Sequence, residues 1–403
     1  MIRPTALLCA LGLALCAASA AAHTRSVSYS TWQLDPAGAR VRLRIPLLEL
    51  TRLGLDPVLD VGSDGLAARY LAANLRLASG GRVCAASAPL AQSAPEGWVH
   101  FEWRVDCEVS GERILESRIL LAEAPSHMHF ARVDGLERGV LERALIEGEN
   151  VWVLAAPGDT SAPSAQGTSF ESYVGLGTRH ILSGWDHLAF VLALLLLARR
   201  LGEVLSLVTA FTLAHSLTLA LAVMGWVRPE RAAIEALIGF SIALVAAENA
   251  WLLAGRGRAV PRAVVGSLVG LAALAAWGVG VVSTLTLLGL AIFSACHFAL
   301  LDRVERPARL RAAVAFAFGL VHGFGFAGVL AELELPSERL VPALFGFNVG
   351  VELGQLAVVL LAWPALRALE QRSPQRGYPA VAEAGSAAVF ALGLYWFLAR
   401  TLA

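Results

Sequence analysis

The sequence contains no lysine: all 32 of its basic residues are arginines. Without lysine there is no Walker A motif, and no amine to form a Schiff base with retinal or pyridoxal phosphate. Charge of either sign is scarce as well, since charged residues make up 16% of the 403 positions and hydrophobic residues 57%. A mean hydropathy of +0.63 is too high for a protein surrounded by water. These deficits exclude a soluble enzyme of ordinary composition and predict a membrane protein.

The formal net charge of zero is the sum of two unlike parts. Up to residue 179, leaving out Arg3, the chain has 15 arginines against 19 acidic residues, and beyond it 16 against 13. The first part is net acidic, which would weakly concentrate cations around it, and the second is net basic.

The first 22 residues are typical of an export signal. Arg3 supplies a positive start, an apolar run extends from Ala6 to Cys16, and Ala20-Ala21-Ala22 offers a cleavage site before His23. A retained anchor is the alternative, although the apolar run is short. We expect cleavage, and therefore export of the residues that follow.

Residues 23–165 show the polar–apolar alternation of half-buried strands, as in Val41-Arg42-Leu43-Arg44-Ile45. The pattern predicts an exported, mostly β domain with antiparallel strands in a sandwich or barrel, and one helix around 65–77. Cys84 and Cys107 fall in this domain, where we expect them to form a disulfide; two free buried thiols are the alternative. The stretch 156–167 is typical of a linker, and we assign residues 166–182 to the linker and the start of the first span.

A transmembrane helical domain is predicted over residues 183–403. Each of its apolar runs can cross a hydrocarbon core of roughly 30 Å, the first only barely. The eight runs lie near 183–198, 204–226, 232–254, 263–282, 284–301, 312–331, 340–363 and 380–399.

The arginines of this domain predict its orientation. If the first domain is exported, twelve arginines fall in inner loops and four in outer loops or the tail, which agrees with the positive-inside rule. We therefore expect a multi-pass protein of a bacterial inner membrane, with the N-terminal domain in the periplasm.

Several spans carry polar side chains that cost about 2.5–3.5 kcal/mol each when charged at the bilayer centre. We expect no arginine beside them in the membrane, and therefore that these acids and histidines are unpaired by cations of the protein. They are Asp186, His187, His215, Glu235, Glu248, Asn249, His322, Asn348, Glu352 and Gln355, with His180 just ahead of the first span.

Spacing and depth predict a ladder of metal ligands from the outer to the inner side. His180 and His187 are seven residues apart, about 10.5 Å along a regular helix, and an interruption at Ser183-Gly184 would bring them closer. Asn348 and Glu352 lie four apart on one helix face. The predicted ligands are His180, Asp186, His187, His215, Glu248, His322, Asn348 and Glu352.

The ligand types indicate which metal they suit. Imidazoles together with carboxylates favour Ni, Co or Zn over Mg or Ca. Glycines at 319, 323, 325 and 328 accompany the ladder, and glycines four apart allow helices to approach closely. The alternative for any single histidine is a hydrogen bond between helices without a metal.

The motifs that carry these residues resemble those of the HupE/UreJ family of membrane proteins, over most of residues 170–365. The first, His180-Ile-Leu-Ser-Gly-Trp-Asp186-His187, is similar to the His-x5-Asp-His signature of that family. The others are Phe211-Thr-Leu-Ala-His215-Ser-Leu-Thr, Ala247-Glu248-Asn249, Gly319-Leu-Val-His322-Gly-Phe-Gly-Phe-Ala and Phe347-Asn348-Val-Gly-Val-Glu352-Leu-Gly-Gln355.

The resemblance implies nickel or cobalt uptake, in a branch with a large exported N-terminal domain. It assigns metal recognition to His180, Asp186 and His187, and other intramembrane roles to His215, His322 and Glu352. Compact members lack the spans near 263–301, where Cys296-His297 is either an exit ligand pair or an ordinary helix end.

The leading hypothesis is therefore a secondary permease for a divalent metal, Ni²⁺ or Co²⁺ as substrate, without a permanently bound cofactor. An intramembrane zinc hydrolase is one alternative, and convergence of His187, His215 and His322 on one point would favour it. Another is an envelope metal-binding or assembly factor, in which His23 would chelate copper with His127 or His129. The expected partners are the lipid bilayer and the metal ion, with no nucleic acid; a homo-oligomer or a metal-delivery partner is compatible with the sequence.

Overall fold

The structure is a computed structural model. It describes residues 26–55, 65–95, 97–108, 111–124, 127–134, 140–154, 170–196, 198, 200–227, 229–304, 307–331 and 337–402. These residues belong to two compact units, within His23–Ser169 and Phe170–Ala403. The predicted signal peptide, His23 and the predicted linker at 156–167 lie outside the described residues, so the predicted domain boundaries stay predictions.

The first unit consists mainly of strands. Its helices are α1 (Leu47–Thr51) and α2 (Leu66–Asn74). Its strands are β1 (Val27–Asp35), β2 (Gly38–Pro46), β3 (Leu75–Ser79), β4 (Arg82–Val83), β5 (Ala85–Ala86), β6 (Leu90–Gln92), β7 (Trp98–Asp106), β8 (Arg113–Ser117), β9 (Met128–Asp134), β10 (Leu141–Leu145) and β11 (Val151–Leu154).

Two sheets enclose one hydrophobic core, which is the sandwich arrangement that the sequence predicts. One sheet has the order β10-β9-β1-β2-β7-β5, with β6 also on β7, and the other has the order β11-β8-β3-β4. The alternation of β2 explains the arrangement, because Val41, Leu43 and Ile45 are fully buried while Arg42 is exposed. Trp152 of the second sheet belongs to the same core.

Two details of this unit differ from the sequence prediction. β1 pairs with β9 in parallel, with Val27 opposite Met128, whereas antiparallel strands were predicted throughout. A parallel pair needs a long crossover between its strands, and here most of the unit lies between them. The predicted helix at 65–77 also ends at Asn74, where the chain continues directly as β3.

The disulfide between Cys84 and Cys107 ties the two sheets together. Cys84 follows β4 of the second sheet, and Cys107 follows β7 of the first.

The second unit is helical. Its described helices are α3 (Phe170–Ser183), α4 (Trp185–Leu196), α5 (Leu201–Val223), α6 (Arg231–Leu253), α7 (Ala259–Ala276), α8 (Thr284–Arg303), α9 (Pro307–Ala331), α10 (Ser337–Arg372) and α11 (Gly377–Thr401).

Six of these helices, α5 to α8, α10 and α11, are long and apolar enough to cross a membrane. α4 coincides with the predicted first span but has only 12 residues, a rise of about 18 Å that falls short of a hydrocarbon core of roughly 30 Å. α9, with 25 residues, covers the predicted span at 312–331. The predicted total of eight spans stays a prediction.

Glycines let the helices around the polar residues approach closely. A Cβ atom at Gly319 of α9 would lie 2.3 Å from the Phe211 carbonyl oxygen of α5, and one at Gly323 would lie 2.4 Å from the His215 carbonyl oxygen. Likewise, a Cβ atom at Gly350 of α10 would lie 2.0 Å from the Val174 carbonyl oxygen of α3. Only glycine permits these separations, and the contact between α5 and α9 brings His322 next to the turn that carries His215.

Candidate metal site

A break between α3 and α4 brings the first two histidines together. α3 ends at Ser183 and α4 begins at Trp185, with Gly184 between them. The centroids of the His180 and His187 rings are therefore 4.7 Å apart, far closer than about 10.5 Å on a continuous helix. A Cβ atom at Gly184 would lie 2.9 Å from both Asp186 Oδ1 and His187 Nδ1, so the break also depends on glycine.

Five of the predicted ligands converge in two overlapping groups. In each group, one ligand atom per residue lies within 4.8 Å of the others. The first group is His180, His187 and His215, and the second is Asp186, His187 and His322. His187 belongs to both, and all four histidines are buried. We call these five residues the histidine cluster.

A contact with Asp186 fixes the orientation of the His187 ring. Its Nδ1 lies 2.9 Å from Asp186 Oδ1, and because a carboxylate accepts, Nδ1 carries the proton. Nε2 then keeps the lone pair, and among the described residues this buried atom has no hydrogen-bond partner. A carboxylate behind a ligating imidazole is a recurrent arrangement in metal sites.

His322 is oriented from the other side by Ser241 of α6. The Ser241 hydroxyl donates to the Ile238 carbonyl oxygen at 2.7 Å, so it accepts from His322 Nε2 at 2.9 Å. His322 Nδ1 therefore carries the lone pair, and this buried atom has no hydrogen-bond partner within the described part of the chain. The sequence analysis did not identify Ser241, which stands in an apolar run.

α10 contributes the polar stripe that the sequence predicted. Asn348 donates to the Leu344 carbonyl oxygen at 2.8 Å, which leaves its Oδ1 to face His215 Nδ1 at 3.4 Å. Glu352 accepts from Thr209 at 2.7 Å. Asn348 thus adjoins the histidine cluster through His215, while Glu352 is not a member of either metal-compatible group.

Aromatic rings line the histidine cluster. The centroid of Phe211 lies 5.0 Å, and that of Phe190 5.4 Å, from the His322 ring. Phe347 lies 5.1 Å from the His180 ring. Such apolar surroundings strengthen electrostatic interactions between a cation and the cluster.

Glu248 was predicted to be a metal ligand near the inner side, but it is paired within the protein. It accepts from Arg311 Nε at 2.7 Å and lies 2.9 Å from His297 Nε2. The expectation that the intramembrane acids lack arginine partners is thus wrong for Glu248. It fails again for Glu235, which pairs with Arg400 at 3.0 Å, because these arginines come from other helices than the acids.

The cluster differs from the predicted ladder in its spacing. Five ligands are gathered instead of being distributed along a path, because the chain breaks at Gly184 and α5 lies close to α9. His297 is not at a helix end either: it lies buried within α8, whereas Cys296 is exposed.

His127 and His129 of the first unit are not available for the copper chelation considered as an alternative. Both rings are buried and belong to a continuous chain of hydrogen bonds of 2.5–2.8 Å. We call it the serine–histidine chain; in order it contains Trp32, Ser30, His129, Ser28, His127, Ser26 and Glu49. Burial lowers the pKa of His129 to about 3, and burial and then repulsion from His129 hold the pKa of His127 well below its usual value.

The fold and the cluster define a polytopic α-helical membrane protein with a buried histidine and aspartate site, whose helical part follows a β-rich unit. The family described as HupE / UreJ protein matches residues 158–295 and, in a second overlapping stretch, residues 266–400. These stretches cover more than half of the chain, which therefore belongs to the HupE/UreJ family. No curated protein matches the chain significantly. The family is associated with nickel and cobalt transport, which supports a membrane metal permease in general rather than an enzyme.

Proposed function

We propose that this protein is a secondary permease for Ni²⁺ or Co²⁺ and that the histidine cluster is its principal binding site. The observation that carries the proposal is the convergence of the five ligands, within 4.8 Å of one another in each group. Imidazole nitrogen together with carboxylate oxygen suits these metals. Family membership supports transport, and the six apolar helices support a site inside the bilayer.

The sharing of His187 suggests how a metal would move. An ion held by His180, His187 and His215 can pass to the second group, where the Asp186 carboxylate leaves His187 Nδ1 and joins His322 as a ligand. Stepwise exchange keeps each three-ligand site weak enough to release its ion. If the first unit is periplasmic, as the arginine distribution predicts, inward movement gains about 2.3 kcal/mol per charge for each 100 mV.

An intramembrane zinc hydrolase is the second candidate. Its catalytic site would need His187, His215 and His322 to meet at one point, but His215 and His322 belong to different groups of the histidine cluster, an arrangement that favours exchange between two sites. The two proposals differ in how long the metal stays. A catalytic zinc would survive prolonged dialysis of the purified protein against a chelator, whereas a transported ion would be lost within minutes and reload on addition of metal.

Uptake into proteoliposomes tests the permease directly. Ni²⁺, Co²⁺, Zn²⁺ and Cu²⁺ would each be offered to the unaltered protein and to His187→Ala and His322→Ala. We expect uptake of Ni²⁺ or Co²⁺, reduced at least about tenfold in both variants. His100→Ala serves as the control, since His100 lies in the β-rich unit.

Absence of uptake of every metal by the unaltered protein would refute the permease. Equal uptake by His187→Ala would leave transport standing but refute the histidine cluster as its site.

A further inference from the structure

A second polar cluster lies in the helical unit, apart from the histidine cluster. Its centre is Arg311 of α9, which donates to Glu248 of α6 at 2.7 Å and to Glu203 of α5 at 3.3 Å. His297 of α8 completes it through its contact with Glu248 at 2.9 Å. Side chains of four helices are therefore linked in one cluster, in which Arg311 contacts both carboxylates and His297 contacts Glu248 alone. Glu248 and His297 are almost fully buried.

A cavity adjoins this cluster. Glu203, Glu248, Asn249 and Arg311 line it together with apolar residues, among them Phe190. The Phe190 ring also lies 5.4 Å from the His322 ring, so one aromatic side chain lines the cavity and lies beside the histidine cluster. The cavity also borders Ala198, next to a loop that the arginine distribution assigns to the cytoplasmic side.

The side chains of the cavity are suited to a divalent metal apart from Arg311. Two carboxylates, Glu203 and Glu248, offer oxygen ligands, and Asn249 stands beside them in the lining. Arg311 occupies the carboxylates with its own positive charge. A guanidinium group and a divalent cation cannot hold the same oxygens, so the two compete for Glu203 and Glu248.

We propose that Arg311 is a tethered competitor for the transported metal: it occupies Glu203 and Glu248 when no ion is present, and it closes a transient second site next to the histidine cluster. This inference rests on the proposed permease function. A metal ion that passes Phe190 displaces Arg311 from Glu248, and the return of Arg311 expels the ion. The arginine prevents the carboxylates from trapping the metal, and transport can continue.

Equilibrium binding of Co²⁺ to the purified full chain in detergent tests this competition. All variants carry His187→Ala, which removes the ligand common to both groups of the histidine cluster. With Arg311→Gln added, we expect Co²⁺ to bind at least about tenfold more tightly than with Arg311 intact. Adding Glu248→Gln as well should abolish the gain.

The matched control is Arg400→Gln in the same background. It removes an arginine from another ion pair between helices, Arg400 with Glu235, which does not line the cavity. We expect no gain in Co²⁺ binding from this change. If Arg311→Gln binds Co²⁺ no better than its parent, or only as well as Arg400→Gln, the proposal is refuted.

A charge-balanced variant covers the case in which Arg311→Gln does not fold. Arg311→Gln with Glu203→Gln removes one charge of each sign and leaves Glu248 and His297 in place, so Co²⁺ binding should still exceed that of the parent. A monodisperse protein without this gain contradicts the proposal.

Uptake provides a readout that a purely structural role of Arg311 would not reproduce. With His187 intact, Arg311→Gln should reach half-maximal uptake at a lower metal concentration, yet with a smaller maximal rate. A structural defect would lower the maximal rate without lowering the metal concentration at half-maximal uptake. Failure of the unaltered protein to transport any metal would refute the permease, whereas the binding comparison would still decide whether Arg311 competes with a cation.

Discussion

Acid is expected to destabilise the β-rich unit where β1 meets β9, because the serine–histidine chain there has no place for another proton. The indole of Trp32 can only donate, and it donates to Ser30 at 2.8 Å. Ser26 donates to Glu49 at the other end. With both ends fixed, each hydroxyl donates in one direction, and both histidines must be neutral. A proton added to His129 Nε2 would meet the Ser30 hydroxyl, which already accepts from Trp32 and would lose the acceptor for its own proton.

The size of the effect follows from the pKa of His129, about 3 in the folded protein against about 6.5 in an unfolded chain. The unfolded state binds the proton first, so the contribution to stability is complete above about pH 6.5 and is lost as the pH falls toward about 3. The slope is about 1.4 kcal/mol per pH unit, or about 3 kcal/mol at pH 4.5 from His129 alone. The lowered pKa of His127 acts in the same direction.

Hydrogen exchange of the full chain in detergent, corrected for the intrinsic effect of pH, measures this loss at the amides of β1 and β9. Protection should fall steeply between about pH 6.5 and pH 4.5. Glutamine can donate and accept hydrogen bonds but does not titrate, so His129→Gln should flatten the dependence of protection on pH. His100→Gln, at a half-buried histidine, should leave most of that dependence unchanged. Unchanged protection of β1 and β9 at pH 4.5 would refute the argument.

Three further substitutions address the helical unit. Asp186→Asn should weaken Co²⁺ binding about 10–100-fold, because it loosens the control of the His187 tautomer; a change below twofold in a titration would contradict this. Gly184→Ala should also weaken binding, since its Cβ would lie 2.9 Å from His187 Nδ1, and the titration should show the effect without a loss of folded protein. Gly323→Ala should cost about 1–3 kcal/mol in a thermal unfolding assay, because its Cβ would lie 2.4 Å from the His215 carbonyl oxygen. Gly325→Ala, whose Cβ would meet only the tip of Ile238, is the control and should be nearly neutral.

The sequence predicted the β-rich and membrane parts well because their patterns are periodic or continuous. Alternation in β2 defines its buried face, and apolar runs define the long helices. It did not predict the parallel pairing of β1 with β9, since alternation determines which face of a strand is buried but not its neighbour or direction.

The candidate ligands could be recognised one by one, because histidines and acids in apolar helices are conspicuous. Their convergence could be recognised only in part. The Ser183-Gly184 interruption indicated that His180 and His187 come closer, but the glycine contacts between helices distant in sequence could not be inferred. The partner of Glu248 could not be inferred for the same reason: Arg311 stands 63 positions away in the chain and belongs to another helix, α9.

X-ray absorption spectroscopy of the purified full chain loaded with one equivalent of Ni²⁺ or Co²⁺ tests the metal site most directly. The histidine cluster predicts at least about two imidazole nitrogens at about 2.0–2.1 Å from the metal, with fewer in His187→Ala and an unchanged spectrum in His100→Ala. A first shell made only of oxygen, or one that is identical in the unaltered protein and in His187→Ala, would contradict the account.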